Sequence, residues 1–150
     1  MSNVKHKGAV SIEAAFIIPI VITLLLAIIE VVNYAADRLI ATSIVADELQ
    51  LARNAAIAVQ NDSNLNQNTY AQCSNNIVVL RDSAFSDELR SKLNAQFSNP
   101  AANIHITQSS NGSFQTYVVS VSIPARPIIL PDIIQLPINV TNLVTWDLSC

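Results

Sequence analysis

The sequence predicts an α+β fold: a long N-terminal transmembrane and amphipathic helix followed by a small head containing antiparallel β-structure. Three observations predict it. An apolar run extends from Ala9 to Val32 behind a short basic stretch. Helical periodicity continues, with no Gly or Pro, from Tyr34 to Gln60. Strand-like alternation and turn signals appear only after residue 76.

Apolar residues make up 51% of the 150 and charged residues only 13%, about half the share usual in a soluble domain. The excess is concentrated in the apolar run, and the remainder reads as one modest domain. The formal charge is -3, and beyond residue 7 no basic patch appears, which gives nucleic-acid binding no electrostatic support.

At about 1.5 Å per residue the run Ala9–Val32 covers roughly 36 Å, enough to cross a hydrocarbon core of about 30 Å. Lys5 and Lys7 precede it, and positive charge on that flank favours the cytoplasmic side. The chain beyond Val32 is therefore expected outside. Glu13 stands about one turn inside the run, Glu30 near its far end, where it can reach the interface. Pro19 lies within the run, which kinks or loosens a helix locally. Beyond the membrane, Ala41, Val45, Leu49, Ala52, Ala56 and Val59 recur at three- and four-residue spacing, opposite Ser43, Asp47, Gln50 and Asn54. This is a small-residue seam suited to packing against another helix or a sheet.

Residues 61–76 are rich in Asn, Gln and Ser and read as loop. Ile77 to Leu80 is a short strand. A second helix is expected over Asp87 to Phe97, with Ser86 as N-cap and Leu89, Leu93 and Phe97 as its stripe. Ile104 and Ile106 alternate with His105 and Thr107. Asn111-Gly112 then favours a type I′ hairpin. Tyr117, Val119, Val121 and Ile123 point one way, Ser120 and Ser122 the other. Pro124, Pro127, Pro131 and Pro137 punctuate an apolar stretch, read as an extended crossing or a short helix at Asp132 to Gln135. The tail from Ile138 to Leu148 is expected to return as a strand. Cys73 and Cys150 lack metal-ligand spacing. In an exported region they read as a disulfide, with two unpaired thiols as the alternative.

The opening stretch, Gly8-Ala9-Val10-Ser11-Ile12-Glu13-Ala14-Ala15-Phe16 followed by Pro19, resembles the class III signal of type IV pilin-like proteins. It looks most like TadE-like pseudopilins of the tight-adherence (Flp, type IVb) pilus. The later Val119-Ser120-Val121-Ser122-Ile123-Pro124 into Arg126-Pro127 is similar to what those proteins carry after the helix. The resemblance is strong over about residues 5–35 and loose elsewhere. Major Flp pilins are shorter and usually have tyrosine after the glutamate, where this chain has Ala14, so a minor subunit is favoured.

What the resemblance implies is specific. Residues 1–8 would be a leader with Lys5 and Lys7 as its basic part, cut by a prepilin peptidase between Gly8 and Ala9. Residues 9–32 would be the transmembrane helix, 33–60 its periplasmic extension and 61–150 a small α+β head. Glu13 would pair with the N-terminal amine of the same or a neighbouring subunit. Ile12, Phe16, Pro19, Ile20 and Leu24 would lie on the helix-packing segment. Partners would be the peptidase, other pilins, a sister pseudopilin, and the inner-membrane platform with its ATPase. The site would be the bacterial inner membrane, N-terminus inside, and then the pilus or cell surface. The function implied is initiation, priming or capping of a pilus, with no cofactor and no enzymatic activity.

The residues leave other readings open. One is a subunit of another type IV pilus or of a type II secretion pseudopilus. Another, of a different class, is a single-pass anchor for a periplasmic binding domain. A conventional secretory signal fits less well, because the apolar core is too long and lacks a small-x-small cleavage site. No Gly-rich phosphate loop and no nucleophile–base pair can be argued. His105 reads as a sheet-surface residue, and Asp82, Asp87 and Glu88 as a solvated face. Asn61-Asp62-Ser63, Asn111-Gly112-Ser113 and Asn139-Val140-Thr141 fit the glycosylation acceptor pattern and are read as turns.

Overall fold

A computed structural model of the chain describes residues 6–61, 70–97, 101–112, 114–125 and 136–150, with side chains from residue 14 onward. The first element, α1, runs from His6 to Asn61 as one helix of 56 residues, about 84 Å long at the usual rise. It passes through Pro19, whose nitrogen cannot donate to the carbonyl of Ala15. One turn further on, the Thr23 hydroxyl donates back to the Pro19 carbonyl at 2.7 Å.

The expected seam forms in full. Ala41, Val45, Leu49, Ala52, Ala56 and Val59 are all buried, and Ser43, Asp47, Gln50 and Asn54 are exposed. Small residues at these positions let the sheet and the second helix come close to the α1 backbone. The seam is the floor of a core completed by Phe85, Leu89 and Leu93 and by Tyr117, Val119, Val121, Ile123, Ile138, Val140 and Trp146. N-terminal to the seam the helix carries the opposite pattern. Its apolar residues from Phe16 to Val32 are exposed on every side. A helix apolar all round has no solvent-facing side of its own and needs lipid or other helices around it.

The described strands are β1 (Ala71–Ser74), β2 (Ile77–Leu80), β3 (Asn103–Asn111), β4 (Phe114–Pro124) and β5 (Pro137–Asp147), with α2 (Asp82–Phe97) between β2 and β3. β1 and β2 form an antiparallel hairpin, and β3, β4 and β5 an antiparallel sheet in that order. The inner face of β4 alternates as expected, with Tyr117, Val119, Val121 and Ile123 buried. The return strand at Ile138 to Leu148 is β5.

Three expectations need correction. The polar stretch up to residue 76 is not all loop, since Ala71–Ser74 pairs with Ile77–Leu80. Asn75 and Asn76 both take positive φ, 53° and 63°, as a type I′ turn requires, and asparagine tolerates this region well. The second helix starts at Asp82 rather than Asp87. Its first bond runs from the Phe85 amide to the Arg81 carbonyl, and Ser86 is not its cap but donates its hydroxyl to the Ser83 carbonyl. Starting earlier moves the buried stripe to Phe85, Leu89 and Leu93, with Phe97 only partly covered. The β3–β4 turn lies one residue later than Asn111-Gly112 suggests. Asn111 pairs with Phe114, so Gly112, at φ 64°, is the first central residue. The crossing segment around Asp132 to Gln135 lies outside the described residues.

The two sheets are joined at their ends by the last residues of the chain. The Val78 amide donates to the Leu148 carbonyl at 3.0 Å, and the Trp146 indole donates to the Val78 carbonyl at 2.8 Å. Tyr117 packs against Trp146 with ring centroids 4.9 Å apart, and its hydroxyl accepts the Leu80 amide at 3.0 Å. Cys73 and Cys150 form a disulfide across 77 residues of chain. A loop of this size contributes about 4.5 kcal/mol at most in the chain-entropy treatment. Reduction should therefore lower the urea midpoint of the head and change its mobility on a non-reducing gel. Equal alkylation of both thiols with and without reductant would contradict the bridge.

Candidate assembly surface

The residues expected to assemble the chain lie along the first half of α1. Gly8, Ala9, Ile12 and Glu13 fall within the helical backbone, with positions 9 and 13 one turn apart. Lys5 lies outside the described residues, as do the side chains of Lys7, Ile12 and Glu13. Phe16, Ile20 and Leu24 are 72%, 61% and 59% exposed, and Pro19 is exposed beside them. These four are thus available for contact with lipid or with another helix. The shallow notch between Pro19, Ile20, Thr23 and Leu24 is almost wholly apolar. Among the described residues, α1 is the helix long and apolar enough to cross a membrane. No group of three His, Cys, Asp or Glu side chains that could hold a metal is found among them. His105 is exposed on the sheet surface.

Behind this segment the structure shows a polar cluster that sequence reasoning missed. Glu48 is fully buried on the sheet-facing side of α1. The Lys92 ammonium of α2 donates to its Oε1, and the Tyr70 hydroxyl donates to its Oε2 at 3.1 Å. Tyr70 in turn meets Phe85 edge-on at 6.3 Å. The signal was available. Position 48 lies three residues after Val45 and four before Ala52, squarely on the buried stripe, so a carboxylate there demands a partner. The cluster locks α2 to α1 and so fixes how the head sits on its stem.

Electrostatics in the cluster have a direction. Burial, and then its bond to Glu48, push the Tyr70 hydroxyl up to about 12 from an ordinary 10.0. The bond to Glu48 also raises the Lys92 ammonium. Both groups have folded values above their unfolded ones, so the stability they add is complete below pH 10 and is lost as pH rises toward 12. Urea midpoints in detergent should stay level up to pH 10 and then fall, together with the ultraviolet tyrosinate signal. A flat profile through pH 12 would contradict the assignment.

The matched family agrees with this layout. Residues 8–48 match the family described as TadE-like protein. The match begins at Gly8, takes in the entire apolar run and ends on Glu48, before the sheet begins. It is consistent with a TadE-like protein of the tight-adherence pilus system. No curated protein and no solved structure matches the chain. The TadE-like segment thus covers the stem, while the head rests on the structure alone.

Proposed function

We propose that the chain is a minor pilin or pseudopilin that helps to initiate, prime or cap a tight-adherence type IVb pilus. A prepilin peptidase would remove residues 1–8, leaving Ala9 as the new N-terminus. Residues 9–32 then span the inner membrane, 33–60 carry the helix into the periplasm, and the head follows.

The observation that carries the reading is the division of labour along α1. One helix presents apolar side chains on every side over its first half and forms the floor of a folded head over its second. A simple anchor needs a span, but it does not need the span to continue as the core helix of its cargo. Filament subunits do need this, because force and register must pass from packed stems to heads without a joint. The exposed Phe16, Ile20 and Leu24 would exchange lipid for neighbouring helices as the subunit leaves the bilayer. Glu13, one turn from the amine created at Ala9, would be neutralised only when that amine is within reach. Its partners would be other pilins and a sister pseudopilin, with the platform and ATPase supplying the work.

The test is genetic and visual. Deleting the gene should remove or sharply reduce surface filaments in electron micrographs, and the wild-type chain should restore them. Replacing Gly8 by a bulky residue such as Arg should leave the leader attached and fail to restore them. Unchanged filaments in the deletion strain would overturn the proposal.

A further inference from the structure

The end of the β4–β5 ribbon sits at the level where the apolar run of α1 stops. Tyr34 is two residues past Val32, about 3 Å further along the axis. Its hydroxyl donates to the carbonyl of Pro137 at 3.2 Å. Pro137 opens β5 and pairs with Pro124, the last residue of β4. From there β5 and α1 advance together, since Asn142 to Val144 face the stretch Gln50 to Ile57 across a shared groove. The polar β3–β4 turn, Ser109-Ser110-Asn111-Gly112, therefore lies at the end of the head away from the apolar run.

The near end has different chemistry. Leu136 is 57% exposed and Pro137 is exposed beside it. Val31 and Val32, just below, are 67% and 59% exposed. Tyr34 adds an aromatic ring with a polar tip, the kind of residue enriched where hydrocarbon meets water. The described chain leaves this rim at Ala125 and is next described at Leu136, back on it. An apolar rim continuous with a membrane span has an occupant already at hand.

We infer that the head makes a second contact with the bilayer, through Leu136, Pro137 and Tyr34, at the interface beside the span. The partner is a lipid surface, and the inference rests on reading Ala9–Val32 as the span. Because α1 and the head are one packed body, a second contact beside the span sets the tilt of that body in the bilayer, which a single span leaves free. The subunit would then wait in the membrane at a set tilt, and it gives up the second contact on extraction into a filament.

Depth-dependent quenching on the full chain tests this. Single variants Leu136→Cys, Leu143→Cys and Leu24→Cys, each with a thiol-linked NBD probe and the native disulfide intact, are reconstituted into phosphatidylcholine–phosphatidylglycerol vesicles. Leu143 is the control, lying within β5, the strand that Leu136 immediately precedes, 66% exposed and roughly 20 Å further from the rim at strand rise. Lipids carrying a shallow nitroxide should quench the Leu136 probe several-fold more than the Leu143 probe, with aqueous iodide showing the reverse order. If Leu24 is quenched by lipid nitroxides while Leu136 responds only to iodide, the span stands and the second contact is wrong. Equal lipid quenching at Leu136 and Leu143 also overturns it, since the head would then lie flat. If Leu24 is not quenched by lipid, the span reading fails and the inference with it.

Discussion

Replacing Glu13 by alanine should leave the chain inserted in the membrane and cut its incorporation into filaments by on the order of 100-fold, the size expected for losing one half of a buried charge pair at about 3 kcal/mol. A carboxylate one turn inside a span costs a few kcal/mol, and removing it makes insertion easier rather than harder. Any loss must therefore arise later, when stems pack together. In that setting the amine that cleavage before Ala9 would free, partly protonated near neutral pH, is the proposed counter-charge. Where the amine comes from a neighbouring stem, a subunit in the wrong axial position would leave Glu13 without that partner among apolar helices. Membrane fractions should hold normal amounts of the Glu13→Ala chain while the sheared surface fraction holds little. Normal numbers of filaments per cell would sink the pairing argument.

The second large effect concerns the head. Changing Lys92 to methionine should destabilise it by about 2–3 kcal/mol, below the range of about 3–5 for breaking a fully buried pair. The discount follows from geometry. Lys92 is 42% exposed, so part of its attraction to Glu48 is screened by water. The Glu48 side chain is at 0% and cannot regain solvent unless α2 moves away from α1. Tyr70 alone is left to satisfy the charge. The double change Glu48→Leu with Lys92→Met removes the orphan and should restore most or all of the lost stability, as apolar replacements of buried pairs often do. Denaturant titration of the three variants in detergent reads this directly. A Lys92→Met chain as stable as wild type would mean that Glu48 finds water despite its burial.

How much of this was legible in the sequence varies with the physics behind each element. The α1 seam was readable because a helix against a sheet imposes one periodicity over many turns, and six positions agree. The β4 alternation was readable for the same reason at period two. β1 was not, because Gln72, Cys73 and Ser74 have no strand signature of their own. That strand exists through its partner β2, the Asn75-Asn76 turn and the disulfide at Cys73, all of them tertiary or turn effects. The early start of α2 was hidden by attention to Ser86 as a cap, though Phe85 stands four residues before Leu89 and extends the stripe by a turn. Glu48 was overlooked because the seam reads well without it. Its partners, Tyr70 and Lys92, are 22 and 44 residues away, beyond the reach of any local pattern.

The functional segment shows the opposite balance. Its chemistry is written locally, as a glycine, a carboxylate five residues on and an apolar run, and the fold adds what no motif states: that the same helix becomes the floor of the head. The account stands on the leader being removed, because only cleavage creates the amine that Glu13 is proposed to meet. The most direct measurement is the intact mass of the chain extracted from membranes of a cell with an active prepilin peptidase. The account predicts the mass of residues 9–150, with Met1 to Gly8 absent and Ala9 at the N-terminus. A chain retaining those eight residues in that cell would contradict it and leave α1 as an anchor.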